Sequence, residues 1–282
     1  LSLGTKNSGR RPLSGFTKVN MGNGAFYQSA YGGTGGTGYL AFYYRFDYGD
    51  AYVLRFANTF QQKWGTLMGG VDNDAGRGLT INASGNLYLI GDTKSPDFPV
   101  LQGGGYYQAS INGNGSNSAE DAFIAVFSPG GVQLHTTFFG STDMDRGGAI
   151  VADDCGHVYA TGHTASTNLP TVDPGNGAYY INALLAFDDV WFLQLDNSNN
   201  MTWMTYNGST GFDEKGTSLR VDPSGNLFAT GYWCYYSNSN GCYNTGGGAY
   251  FSNNIDADDF LIMKFQAAAG GAARSVMAGV YT

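Results

Sequence analysis

The side chains in this sequence with the means to do chemistry are three histidines, a recurring set of aspartates and a group of aromatics in Gly/Asn-rich stretches. His157 and His163 are six residues apart, a spacing that puts both on one face of a strand by period-two alternation. Two imidazoles so placed suit a metal or a general base. Neither comes with a carboxylate motif, so ordinary strand positions are the competing account. Asp72-Asn73-Asp74, Asp143-Met144-Asp145 and Asp213-Glu214 recur at one place in successive repeats, and Asp256, Asp258 and Asp259 cluster later. Oxygen-rich turns of this kind can hold calcium, which takes six to eight hard ligands. The candidate ligands are therefore Asp72, Asp74, Asp143 and Asp145, with calcium the one ion considered and no other cofactor expected. No segment matches a complete calcium loop, and an aspartate in a turn more often accepts backbone N–H groups.

The aromatics fall in three insertions, Leu101 to Glu120, Thr171 to Asp188 and Tyr232 to Asp258. Rings among small polar residues are what adaptable binding loops use against proteins or glycans. Tyr106, Tyr107, Tyr179, Tyr180, Trp233, Tyr235, Tyr236, Tyr243 and Tyr250 are the candidate contact residues, with packing of the loops as the alternative. Cys234 and Cys242, in the loop Tyr232 to Asn244, have the spacing of a small disulfide ring, whereas Cys155 stands alone. That pairing suits an oxidising compartment.

These residues are positioned by an internal repeat. One phrase occurs three times: Gly76 to Gly91, Gly147 to Gly162 and Gly216 to Gly231, each a strand, a turn and a strand. The turn glycines Gly85, Gly156 and Gly225 are 71 and 69 residues apart (156 − 85 and 225 − 156). A second phrase, opened by Asp50, Asp121, Asp189 and Asp259, continues as a mostly apolar strand, and near-continuous apolarity implies burial on both faces. Ser128-Pro129-Gly130-Gly131 then turns the chain into a hairpin. Each repeat thus supplies four short antiparallel strands with more apolar surface than one sheet can hide, the signature of a propeller blade.

Composition agrees. Only 13% of the 282 residues are charged while 42% are hydrophobic, and 44 Gly with 20 Tyr and 18 Phe are the vocabulary of strands and tight turns. Almost no helix is expected, Asn182 to Phe187 offering at most one turn. The net charge of −8 and scattered Lys and Arg argue against nucleic acid. No run of 18 apolar residues suggests a membrane span. A chain that begins at Leu1 with no signal segment reads as a processed product or a fragment.

Val19 to Tyr27 aligns with Ile81 to Leu89, and Phe265 to Gly279 with Phe127 to Gly140. The ends therefore read as complementary half blades, which either pair to close a ring of four blades with no bare edge or mark a piece cut from a larger propeller. The expected fold is all-β, a β-propeller of about four repeats: a half blade 13–48, blades 49–120, 121–188 and 189–258, and a half blade 259–282.

The Gly-Asn-Leu-Tyr and Gly-His-Val-Tyr strands (Gly85 to Tyr88, Gly156 to Tyr159), the phrases Thr93 to Pro99 and Thr164 to Pro170, and Asp121-Ala122-Phe123-Ile124-Ala125 resemble the bacterial seven-bladed β-propeller repeat (SBBP) family. The resemblance covers about residues 49 to 266. It implies a secreted or surface-attached bacterial protein, frequently large and multidomain, with no shared catalytic residues. Tyr232-Trp233-Cys234 replaces the Ser-x-Asp-Phe-Pro phrase in the third repeat, the insertions are long, and the repeats are too few for seven blades.

With the repeated phrases committed to the fold, function is expected in the insertions, gathered on one face of the disc. An extracellular or cell-surface binding or adhesion module with a protein or glycan ligand is the leading class. A structural subunit of a larger surface or secretion assembly, needing flat apolar contacts, and a carbohydrate-active enzyme, needing acidic or His residues converging on one face, are the alternatives.

Overall fold

The structure, a computed structural model, describes residues 2–7, 49–112, 120–185, 187–208, 212–235, 258–267 and 274–281. They form four antiparallel sheets and, among the described residues, no helix, Asn182 to Leu185 included. No helix of the described residues is long and apolar enough to cross a membrane. The first sheet holds β1 (Ser2–Asn7), β2 (Gly49–Phe56) and β3 (Gln62–Met68). The second holds β4 (Asp74–Ile81), β5 (Leu87–Thr93), β6 (Asp121–Phe127) and β7 (Gln133–Phe139). The third holds β8 (Asp145–Ala152), β9 (Val158–Thr164), β10 (Asp189–Leu195) and β11 (Met201–Asn207). The fourth holds β12 (Phe212–Val221), β13 (Leu227–Tyr235), β14 (Asp258–Ala267) and β15 (Arg274–Tyr281).

Each complete sheet takes the last two strands of one sequence repeat and the first two of the next, so limits drawn at 121 and 189 run through the middle of sheets. The C-terminal strands β14 and β15 accordingly complete the sheet of β12 and β13, because the ladder continues directly from β13 to β14. Beside β2, where the other sheets have β5, β9 or β13, lies Ser2–Asn7. The stretch Val19 to Tyr27 expected as a half-blade partner lies outside the described residues.

The sheets stack in sequence, and alternation along the central strands divides their side chains between two neighbours. In β6, Phe123, Ala125 and Phe127 join Trp64 and Val53 of the first sheet, while Ala122, Ile124 and Val126 join Trp191 and Leu193 of the third. In β10, Val190 and Phe192 face the fourth sheet with Met263 and Phe265. Aromatic contacts fill the three interfaces: Phe98 on Phe123 at 4.5 Å, Phe139 on Trp191 at 4.8 Å and Phe192 on Phe265 at 4.7 Å. Phe98 and Leu169, from the phrases after β5 and β9, are buried plugs between sheets.

The first strands β4, β8 and β12 stand closest together across the sheets. Each carries a bulge against its partner, between Gly76 and Gly78, Gly147 and Ala149, and Gly216 and Ser218. The glycine closing each repeated phrase is explained here: a Cβ on Gly162 would fall on the Arg146 carbonyl oxygen, as one on Gly91 or Gly231 would on Ala75 or Lys215.

The insertions depart from the expected arrangement on one face. Leu101 bridges Thr136 and Gln108 accepts the Phe138 N–H, laying the first insertion along the open edge of β7. Val172 bridges Met204 and Ile181 accepts the Tyr206 N–H, laying the second along β11. The unpaired backbone groups of an outermost strand supply the reason. The third insertion starts later than expected, because β13 runs on through Tyr235, with Tyr232 to Cys234 in ladder with Asp258 to Phe260 and Tyr235 paired with Phe212.

One hairpin turn recurs at the ends of β2, β6 and β10, and its left-handed position holds Gly131 (φ 80°), Asn199 (φ 62°) and, in the first sheet, Phe60 (φ 60°). A bulky residue is strained there by roughly 1–2 kcal/mol, and asparagine much less. Phe60 is 88% exposed, so its ring contributes little packing. Phe60→Asn should therefore raise stability by about 1 kcal/mol in urea unfolding; an unchanged or lower midpoint would contradict the assigned turn.

Candidate functional site

The repeated aspartates are turned inward. Asp74 accepts hydrogen bonds from the Gly70 N–H at 2.8 Å, the Ser95 hydroxyl at 2.9 Å and the Thr93 hydroxyl. Asp145 repeats the arrangement with the Ser141 N–H at 2.6 Å, Ser166 at 2.9 Å and Thr164. The fourth sheet places Glu214 at the same point, its N–H donating to Asp188 as that of Asp145 does to Glu120. Asp72 and Asp143 contribute backbone N–H groups to the Ser95 and Ser166 hydroxyls, and Asp72 also accepts the Asn73 N–H. Of the four proposed calcium ligands, then, Asp74 and Asp145 spend their oxygens on hydroxyl and amide donors. No three His, Cys, Asp or Glu side chains form a metal-holding group among the described residues.

The described loop aromatics are half-buried and engaged. Tyr106 sits edge-on to Phe139 at 6.0 Å and donates to Gln108, while Tyr107 sits edge-on to His135 at 6.3 Å. Tyr179 packs edge-on to Phe265 at 6.0 Å and accepts from Asn207, and Tyr180 donates to Thr171. Burial pushes the Tyr179 hydroxyl up to about 12. These rings fasten the insertions to β7 and β11. The side chains of Trp233 and Tyr235, all of Tyr236, Tyr243 and Tyr250, and the Cys234–Cys242 pairing lie outside the described residues. Cys155 is free and exposed.

The histidines do not meet. His157 ends the turn before β9 and pairs with Asp153 at 2.9 Å, the carboxylate partner it lacked in the sequence reading. His163 is at the far end of β9, roughly 20 Å away at ~3.3 Å per strand residue. His135 is buried and accepts the Gly103 N–H at 3.1 Å.

His163 belongs instead to a constellation that the sequence did not disclose. The ladders pair Ala75 with Asp92, Arg146 with His163 and Lys215 with Tyr232, one register row repeated in three sheets. With the bulged residues Arg77 and Thr217, this row surrounds a cavity of about 270 Å³ where β4, β8 and β12 converge. The wall carries Arg77, Arg146, Lys215, His163, Thr217 and Tyr232 together with glycine backbone, and no carboxylate. The acids lie behind it. Arg77 binds Asp92 bidentately at 2.7 and 2.8 Å, Arg146 puts two donors on one Glu120 oxygen at 3.0 and 2.7 Å, and Lys215 is 3.6 Å from Asp188. The acids are 2%, 8% and 14% exposed against 47%, 35% and 24% for their cations, so carboxylates orient the cations while the remaining donors face the cavity.

Burial pushes Asp92 up to about 6 against the pull of Arg77; it works to raise Glu120 too, but Arg146 outweighs it and holds that carboxyl below its ordinary value. Burial, then the charges of Lys215, Arg146 and Arg77, push His163 down to about 3, so it is neutral at physiological pH. Its buried Nε2 has no partner among the described residues. The signal in the sequence was slight: Arg146 and Lys215 precede, and Arg77 follows, the first glycine of the repeated phrase.

The buried aspartates make stability depend on pH. Burial, with the Asp145 charge adding to it, pushes Asp121 up to about 7; burial pushes Asp74 to about 7 and Asp145 to about 6. A carboxyl raised in the folded state contributes stability that is fully present below about pH 4 and is lost as pH rises through its folded pKa. Asp121 accepts from Gln108 and Asn112 on one oxygen, while the other is buried without a partner among the described residues. Asp121→Asn keeps an acceptor and removes the charge. The variant should melt above the parent by a margin that widens from pH 4 to 7, reaching on the order of 2 kcal/mol. His163 acts in the opposite sense, its contribution being lost as pH falls from about 6.5 toward 3, but it is common to both proteins and cancels. A margin independent of pH would contradict this assignment.

In comparisons with known proteins, no family model matches the chain and no curated protein matches it.

Proposed function

We propose that this chain is a β-propeller binding module of a secreted or cell-surface protein, and that it takes its protein or glycan ligand at the cationic cavity between β4, β8 and β12. The observation that carries the reading is the layering of charge there. In a chain of net charge −8, three cations line one cavity, and the acid paired with each is less exposed than its cation. Arginines held by buried carboxylates keep their remaining N–H donors aimed at a ligand without reorganisation, which favours tight and selective contact. The blade-like stacking of sheets through two-faced strands and the phrases shared with the bacterial propeller repeat family support the fold and the extracytoplasmic setting. The loop tyrosines, fastened to outer strands, are poorer candidates. A hydrolase is disfavoured because Asp92 and Glu120 sit behind the guanidinium groups, out of a substrate's reach.

Lys215→Gln and Tyr232→Ala test the site. Screened on an array of acidic and neutral glycans and peptides, the parent should bind acidic members. Each variant should weaken that binding by roughly tenfold, about 1.4 kcal/mol, with its melting temperature within a degree or two of the parent's. Binding untouched by these changes but abolished by Tyr107→Ala or Tyr180→Ala would return the site to the insertions.

A further inference from the structure

We infer that the cavity's ligand is a single acidic sugar unit, its anionic group on Arg77, Arg146 and Lys215 and its ring on Tyr232. This rests on the cavity being the binding seat. Size is the first argument. About 270 Å³ falls below the ~300–1,000 Å³ of sites that engulf drug-sized ligands, so there is room for one ring and not for a folded segment.

The lining is the second argument. Among the described residues no purely aliphatic side chain faces the cavity, which leaves a peptide's apolar side chains without a partner. Tyr232 is 44% exposed and lies directly across the ladder from Lys215, so an aromatic face and an ammonium stand side by side. A sugar ring presents an apolar C–H face and polar edges, and the Tyr232 ring meets the first while Thr217 and the guanidinium donors meet the second.

Charge is the third. Guanidinium groups give planar, paired donors that match a carboxylate or a sulfate, and here two of them come from adjacent sheets with a lysine from the next. His163, kept neutral by burial and then by the surrounding cations, adds a polar wall without a fourth charge. A neutral sugar would leave the donors of Arg77, Arg146 and Lys215 that their carboxylate partners do not use without an anion to meet, and a free inorganic anion would leave Tyr232 unused.

Calorimetric titration of the full chain separates the possibilities. The probes are an oligosaccharide ending in glucuronate, the same oligosaccharide with that carboxylate reduced to an alcohol, its sulfated counterpart, inorganic sulfate, and a short peptide with a free C-terminal carboxylate. The acidic sugars should bind, reduction should weaken binding at least tenfold, and Tyr232→Ala should weaken it at least fivefold while leaving the weak binding of inorganic sulfate unchanged. The carboxylated and sulfated sugars together tell which anion is preferred, and either preference upholds the inference. Equal binding of the reduced sugar would overturn the need for the acid. Equal binding of sulfate or peptide, indifferent to Tyr232→Ala, would overturn the sugar while leaving the cationic seat intact. If no anionic probe binds, or Lys215→Gln leaves the binding of every probe unchanged, the seat itself is wrong.

Discussion

A carboxylate taken out of water must be met by donors, and the joints between successive sheets are built on that requirement. Asp74 and Asp145 each stand at the start of a sheet's first strand, yet their partners come from just after the preceding sheet and from the end of their own sheet's second strand and just past it: Gly70 or Ser141 on one side, Thr93 and Ser95 or Thr164 and Ser166 on the other. Removing one donor would strand a buried polar group, at a penalty of about 1–3 kcal/mol or more for a charge. The segment leaving one sheet and the first two strands of the next are thereby tied at one point. The apolar interfaces supply most of the cohesion, but they are not directional. The carboxylate joint is.

The cavity depends on that geometry at one remove. Once the first strands are held side by side, the bulge in each re-aims one residue toward the space between them. The same register row is thus brought round three times, bearing a different pair in each sheet. Acid, histidine and tyrosine face the cations that a regular ladder would have dispersed over separate surfaces. The repeat provides the placement and the divergence among repeats provides the chemistry.

Much of the local structure could be read from the chain because turns and alternation are short-range properties. Gly85, Gly156 and Gly225 all have positive φ in hairpins closed by Asn82, Asp153 and Asp222, whose side chains cap the returning strand. Of the Asp-led strands, β6 and β10 are buried on both faces, as their apolarity demanded, while β2 runs out to exposed Arg55 and Phe56. What sequence order cannot display is which strand of one repeat meets which strand of the next. Two strands joined by an insertion and two joined by a short turn look alike as neighbours, so sheets were cut at the insertions although β5 and β6 pair across one. The same limit hid the site. Arg77, Arg146 and Lys215 are about 70 residues apart, too far for any local pattern, and a low total of basic residues concealed their convergence. The tyrosines misled for the opposite reason: their composition suits a binding loop, but an open strand edge claims such a loop first.

Each complete sheet is one unbroken run of four consecutive strands, and among the described residues no backbone ladder joins one sheet to the next. Neighbouring sheets meet through side chains and the carboxylate joints. The boundary at which a stretch of chain carries a whole sheet with it therefore falls at the inward aspartates, Asp74 and Asp145, and not at the insertions. A stretch cut at an insertion would instead part β5 from β6 or β9 from β10 and leave two pairs of strands with bare edges.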